Sequence, residues 1–126
     1  MMPVTKDELT LIHYAVILPL VRKSFQRSRI QAEQSLSLHE PYLTLIDEAL
    51  ALVHEDLRTL KQEQQTRSIR VYKIDSDLTF SEYGYVCGRY EGQNRYVNTN
   101  LKRQTSACME RYLHGERVEP DFFNNL

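Results

Sequence analysis

Four histidines, two cysteines and a run of helix-borne carboxylates are the residues of this sequence most able to do chemistry. Zinc sites draw their ligands at short, recognisable spacings such as HExxH or paired CxxC. His13, His39, His54 and His114 show no such spacing, and Cys87 and Cys108 stand apart, so a metal would need several distant elements to converge. His54 and Glu55 with Asp47 and Glu48 can be drawn as an acid/base set. Adjacent residues on a helix point to different azimuths, however, and the stretch reads as a solvated face. Nothing near Cys87 would lower a thiol pKa, and Tyr85 and Val86 beside it suggest burial. Four glycines supply neither GxGxxG nor GxxxxGKS/T, which excludes nucleotide binding through those motifs. No catalytic residue, metal or cofactor is therefore expected.

One constellation could bind rather than catalyse. Tyr72, Tyr83, Tyr85, Tyr90 and Tyr96 alternate with Arg70, Lys73, Arg89 and Arg95. Aromatics on strands interleaved with arginines can stack bases and hold phosphates. They can equally be the packed face of a hairpin with snorkelling cations, and tyrosine and arginine are also favoured anchors of protein interfaces. Packing, a protein interface and a nucleic-acid surface all remain open here.

The chain that must position these groups has 126 residues, of which 41% are hydrophobic and 26% charged, with a mean hydropathy of -0.52. Those values place it among soluble globular proteins rather than disordered or membrane ones, and the length suits a single domain over 1–126 with a real core. The net charge of -1 argues against a protein that coats DNA. Residues 1–35 carry +2 and residues 36–67 carry -3, an asymmetry that favours pairing of those two segments. The opening MMPVTKDELT lacks the basic n-region of a secretory signal. The apolar run 9–21 is interrupted by His13, Tyr14 and Pro19 and falls short of the ~20 residues a bilayer requires. A cytoplasmic, soluble protein without membrane association is expected.

Four elements follow from the patterning. Thr5 and Glu8 have capping-box spacing and open a helix over about 6–28. Leu9, Ile12, Val16 and Leu20 form one stripe of it and Leu11, Leu18, Val21 and Phe25 the next, so it must be covered on more than one side. Pro19 should bend it, and RKSFQRSR should form its cationic end. Ser37 and Glu40 have capping-box spacing for a second helix over about 38–66, with Pro41 in its first turn. There Leu43, Ile46, Leu50, Val53, Leu57 and Leu60 recur at spacings of 3 and 4, the a/d seam of a coiled coil. At 1.5 Å per residue this helix is roughly 43 Å long, against a domain diameter near 36 Å. It should overhang the globule, with its apolar ends covered by a second subunit or by the C-terminal segment.

From Ile69 the period shortens. IRVYKI, the turn residues DSD and TFSEYGYVCGRY predict a β-hairpin over about 69–90, the competing helix over 79–90 being weakened by Gly84 and Gly88. EGQN at 91–94 reads as a loop. Asn98 or Asn100 should cap a helix over about 99–114 carrying Leu101, Thr105, Cys108 and Tyr112 on one stripe, and Gly115 should end it. In the tail 115–126, Phe122 and Phe123 should dock on the protein.

The segments LIHYAVILPLV, LHEPYLTLIDEAL and FSEYGYVCGRYEGQNRYVNTNLKRQ resemble a group of small uncharacterised proteins of Bacillus and related Firmicutes. The resemblance rests on Leu18-Pro19 in the first helix, Pro41-Tyr42 opening the second, the turn Arg89-Tyr90-Glu91 and the stretch from Asn98 to Lys102. It implies a bacterial or bacteriophage source and carries no particular biochemical role.

The expected fold is α+β and mainly α: a long antiparallel helical hairpin, a β-hairpin and a C-terminal helix. The expected function is that of a non-enzymatic, protein-binding regulator or adaptor, homodimeric, with Tyr72, Tyr83, Tyr85, Arg89, Tyr90, Arg95 and Tyr96 as candidate interface. Leu43, Ile46, Leu50, Val53, Leu57 and Leu60 are the candidate core or dimer seam. The alternative is a nucleic-acid-binding regulator that combines the tyrosine/arginine hairpin with Arg22, Lys23, Arg27 and Arg29.

Overall fold

The computed structural model describes residues 4–118. Two long helices, α1 (Lys6–Ser35) and α2 (Glu40–Thr66), form an antiparallel hairpin; three strands, β1 (Ile69–Ser76), β2 (Phe80–Cys87) and β3 (Tyr90–Val97), follow, and α3 (Asn98–Leu113) closes the fold. The architecture is the α+β, mainly helical one that the patterning predicts.

The capping box of α1 is formed, with the Thr5 hydroxyl accepting from Glu8 N–H and the Glu8 carboxylate accepting from Thr5 N–H. Leu11, Ile12, Val16, Ile17, Leu18, Val21 and Phe25 are all buried, which is most of the circumference, because α2, α3 and the sheet each pack against this stretch. Beyond Phe25 the helix continues to Ser35, seven residues past the expected end near 28. No glycine or proline interrupts 26–35, and Arg29 pairs with Glu33 one turn on and with Asp47 across the hairpin. The cations at 22–29 therefore lie within the helix rather than at its C-terminal pole, and the last turn holds none.

The second capping box does not form. His39 is the N-cap of α2 in an αR conformation, makes no side-chain cap bond, and lies with Nδ1 2.9 Å from the Leu36 carbonyl oxygen. Because α2 begins at Glu40, Ser37 lies in the link two residues ahead of the N-cap, and Glu40 is the first helical residue rather than the third, so the box cannot close. At its far end α2 stops at Thr66 with Arg67 as C-cap, and Ser68, the next residue, has a left-handed φ of 57°, a place glycine usually takes.

The hairpin expected over 69–90 is formed by β1 and β2, and a third strand, β3, extends it to an antiparallel meander in the order β1-β2-β3. Residues 91–94 are strand, not loop, and the helical alternative for 79–90 is not adopted. Gly88, at φ 62°, lets the chain reverse within the two residues Gly88 and Arg89, so Cys87 pairs directly with Tyr90. At the other turn Asp77 Oδ1 accepts from the N–H groups of Thr79 and Phe80, which also holds its carboxyl below the usual range.

Neither asparagine caps α3 with its side chain. Asn98 instead donates to the Asp77 carbonyl and accepts from the Ser81 hydroxyl at 2.6 Å, tying the helix start to the β1–β2 turn. Gly115 does end the helix: at φ 80° it donates to Tyr112 O, and Glu116 N–H reaches Arg111 O, the paired bonds of a Schellman motif. Phe122 and Phe123 lie outside the described residues.

Candidate functional site

The seam of α2 divides into two halves. Leu50, Val53 and Leu60 are buried, with Leu57 packed beside them, where α1, α3 and β1 all cover the helix. Toward the N-terminal end, Leu43 and Ile46 are half-buried, and no residue of 26–48 is fully enclosed. The hairpin tip, residues 26–35 of α1 with 40–48 of α2, thus projects past the core as the length argument requires. It leaves apolar side chains in the open: Leu38 is 81% exposed, Ile30 57%, Tyr42 54% and Leu45 49%. Lys23 and Arg27 on α1, and Glu40 and Glu48 on α2, take no part in the ion pairs among the described residues.

The tyrosine and arginine set is split by the pleat, because alternate residues of a strand face opposite ways. Tyr83, Tyr85 and Tyr96 lie on the face packed against the helical core. Tyr96 and Tyr83 meet edge to face at 5.8 Å between centroids, and the Tyr96 hydroxyl stands 3.3 Å from His13 Nδ1. Burial lowers the pKa of His13, so that imidazole is held neutral at pH 7. Tyr72 is on the other face, its ring laid over Gly84, where an added Cβ would come within 2.5 Å of it. Tyr85 covers Gly92 in the same way on the inner face. Arg95 stacks over Phe80 at 3.6 Å on the outer face, and Arg89 and Tyr90 stand exposed at the β2–β3 turn. The set is therefore not one continuous platform.

The groups weighed for catalysis are also dispersed. Asp47 pairs with Arg29, Glu55 with Arg117, and His54 is exposed between them. Among the described residues no three of His, Cys, Asp and Glu are placed to hold a metal ion. Both thiols are buried and free, Cys87 donating at 2.8 Å to Glu8 and Cys108 lying between α1 and α3. Burial, reinforced for Cys87 by the Glu8 carboxylate, pushes each thiol up to about 11. An acid whose folded pKa is raised keeps its proton while the unfolded chain releases it. Stability is accordingly expected to be full below about pH 9 and to fall as pH rises from about 9 to 11, by up to about 2 kcal/mol per thiol. Urea melts at pH 8, 9.5 and 11 measure this, and Cys108→Ala should flatten the slope; an unchanged slope would mean that thiol is not shielded.

A polar cluster that no sequence motif announced lies on α2 at the margin of the buried seam, Asp56 falling between Val53 and Leu60 on the same side of the helix. Asp56 is 1% exposed, accepts from the Tyr112 hydroxyl at 2.7 Å and from Arg117 at 3.3 Å, and also accepts from the Val118 N–H. Arg117 bonds Glu55 as well. Burial raises the Asp56 pKa, opposed by the Tyr112 and Val118 bonds, and the Tyr112 phenol is itself pushed up strongly. The only sequence signal was an acidic residue one turn of helix after Leu52 on an otherwise apolar flank. This cluster clamps the chain after α3 to the middle of α2.

A family model described as YhjD protein matches residues 3–117. The chain is also 33% identical over 114 residues to a relative from Bacillus subtilis (strain 168) named "Uncharacterized protein YhjD", a match spanning 89% of this chain and 95% of that one. No solved structure matches the chain. No helix among the described residues is long and apolar enough to cross a membrane.

Proposed function

The chain belongs to the YhjD family, and on the strength of its hairpin tip we propose that it is a non-enzymatic protein-binding module that pairs with a second copy of itself. The observation that carries this reading is the exposed apolar set Ile30, Leu36, Leu38, Tyr42 and Leu45, gathered at the projecting end of the helical hairpin and in its link. Several large apolar side chains left open at one end of a fold mark an interaction site. Through Val118 the chain offers no cover for it, because that segment is fixed at Asp56, eleven helical residues and about 17 Å from Leu45.

A second copy suits the tip better than an unrelated ligand because its charges are self-complementary. Lys23 and Arg27 on α1 can face Glu40 and Glu48 on α2 of the other copy, and a two-fold axis repeats that match. The paired tips would form a four-helix bundle with the seam residues Leu43 and Ile46 at its centre. A regulator or adaptor role follows from such a module when the aromatic sheet edge or the assembled tip presents a surface to another protein.

Sedimentation equilibrium at micromolar concentration is the direct test. The dimer is expected at twice 14.9 kDa, and Leu38→Asp combined with Leu45→Asp should return it to 14.9 kDa without altering the circular dichroism spectrum. A wild-type monomer, or a dimer indifferent to those changes, would contradict the proposal. Fluorescence anisotropy with single- and double-stranded oligonucleotides addresses the alternative: a sub-micromolar, salt-resistant complex would place nucleic acid first.

A further inference from the structure

Where α1, the last turns of α2 and the start of β1 meet, a groove of about 350 Å³ opens, with no α3 residue in its lining. We propose that this groove binds a small amphipathic anion, a carboxylate head on an unbranched apolar body. Its floor is apolar, made by Leu57, Leu60, Ile69 and Val71. Its charged lining residues are Arg22, Lys61 and Arg70, with no carboxylate among the described lining residues. The Arg70 guanidinium is turned toward the Tyr72 ring, 5.8 Å away on the outer face of the sheet and opposite Ile69 and Val71, so Arg22 and Lys61 supply the charge at the groove. Neither of these two enters an ion pair among the described residues.

Arg22 and Lys61 are two unpaired cations beside an apolar floor, and a carboxylate placed between them is attracted to both. The volume lies at the small end of the range for ligand clefts, about 300–1,000 Å³, which limits the ligand to a single short chain. The site is independent of the hairpin tip.

Decanoate is the probe, with 1-decanol as its uncharged counterpart and anionic phospholipid vesicles as a membrane control. Isothermal titration with the full chain is expected to give one decanoate per protein, at least ten-fold tighter than decanol, with amide shifts confined to residues near Pro19, Leu60 and Arg70. Arg22→Gln combined with Lys61→Gln should lower decanoate affinity at least ten-fold, leave decanol binding unchanged and leave the melting temperature of the free protein unchanged. Equal binding of decanoate and decanol, shifts located elsewhere, no binding, or vesicle binding with no uptake of free decanoate would each overturn the proposal.

Discussion

Leu60→Ala is expected to lower the unfolding free energy by about 2–5 kcal/mol, as a large-to-small change at a fully enclosed position. Leu60 is 1% exposed and lies where α1, α2 and β1 converge, so three elements would have to move together to refill the space. Part of the loss is the transfer free energy of the missing carbons, and the rest is the unfilled cavity, which such a junction cannot collapse. Leu50→Ala, on the same seam beneath α1, is expected in the same range. Leu38→Ala supplies the contrast: at 81% exposure it should change stability by no more than about 0.5 kcal/mol. Denaturant melts at submicromolar concentration, where the tip is unpaired, measure all three. A cost below about 1 kcal/mol at Leu60 or Leu50 would mean that the seam is not the core.

Asp56→Ala is expected to cost about 2–4 kcal/mol by a different route. It strands the Tyr112 hydroxyl and the Val118 N–H, two buried donors whose desolvation costs about 1–3 kcal/mol each when no acceptor remains. Arg117, partly exposed and still bonded to Glu55, loses less. Asp56→Asn keeps an acceptor and removes the charge, which isolates the electrostatic part. Because burial raises the Asp56 pKa, its contribution to stability is full below the ordinary carboxylate value near 3.8 and is lost as pH rises through the raised one. The stability of the Asn variant relative to wild type should therefore improve from pH 4 to pH 7. Urea melts at the two pH values read this out, and a trend in the opposite direction would show the carboxylate to be net stabilised by its partners.

The local signals that held were those whose physics is complete within a few residues. The Thr5/Glu8 box and the left-handed Gly115 each need only their own turn to form, and both formed as the sequence indicates. The 3,4 spacing of the α2 seam likewise predicts a helix and its buried stripe, since periodicity alone selects the face. Gly88 weighs against a helix over 79–90 in the sequence, but its left-handed turn also brings 90–97 into the sheet, where the polar EGQN suggested a loop. Polar residues are no obstacle to a strand with one exposed face, and that exposure depends on where the helices lie.

Competing partners account for the caps that failed. Asn98 has a better use at the β1–β2 turn than at the start of α3, and Ser37 is held in a link whose geometry the two helices dictate. Length and composition, the two capping signals and the heptad seam thus determine by themselves that this is a mainly helical α+β protein with a hairpin too long for its globule. Only the tertiary structure decided that the tyrosines divide between two faces of a meander, that Asp56 is buried beneath Tyr112, and that Arg22 and Lys61 flank one groove. Asp56 and Tyr112 stand 56 positions apart, and no local pattern encodes a contact whose two halves satisfy their neighbours equally well alone.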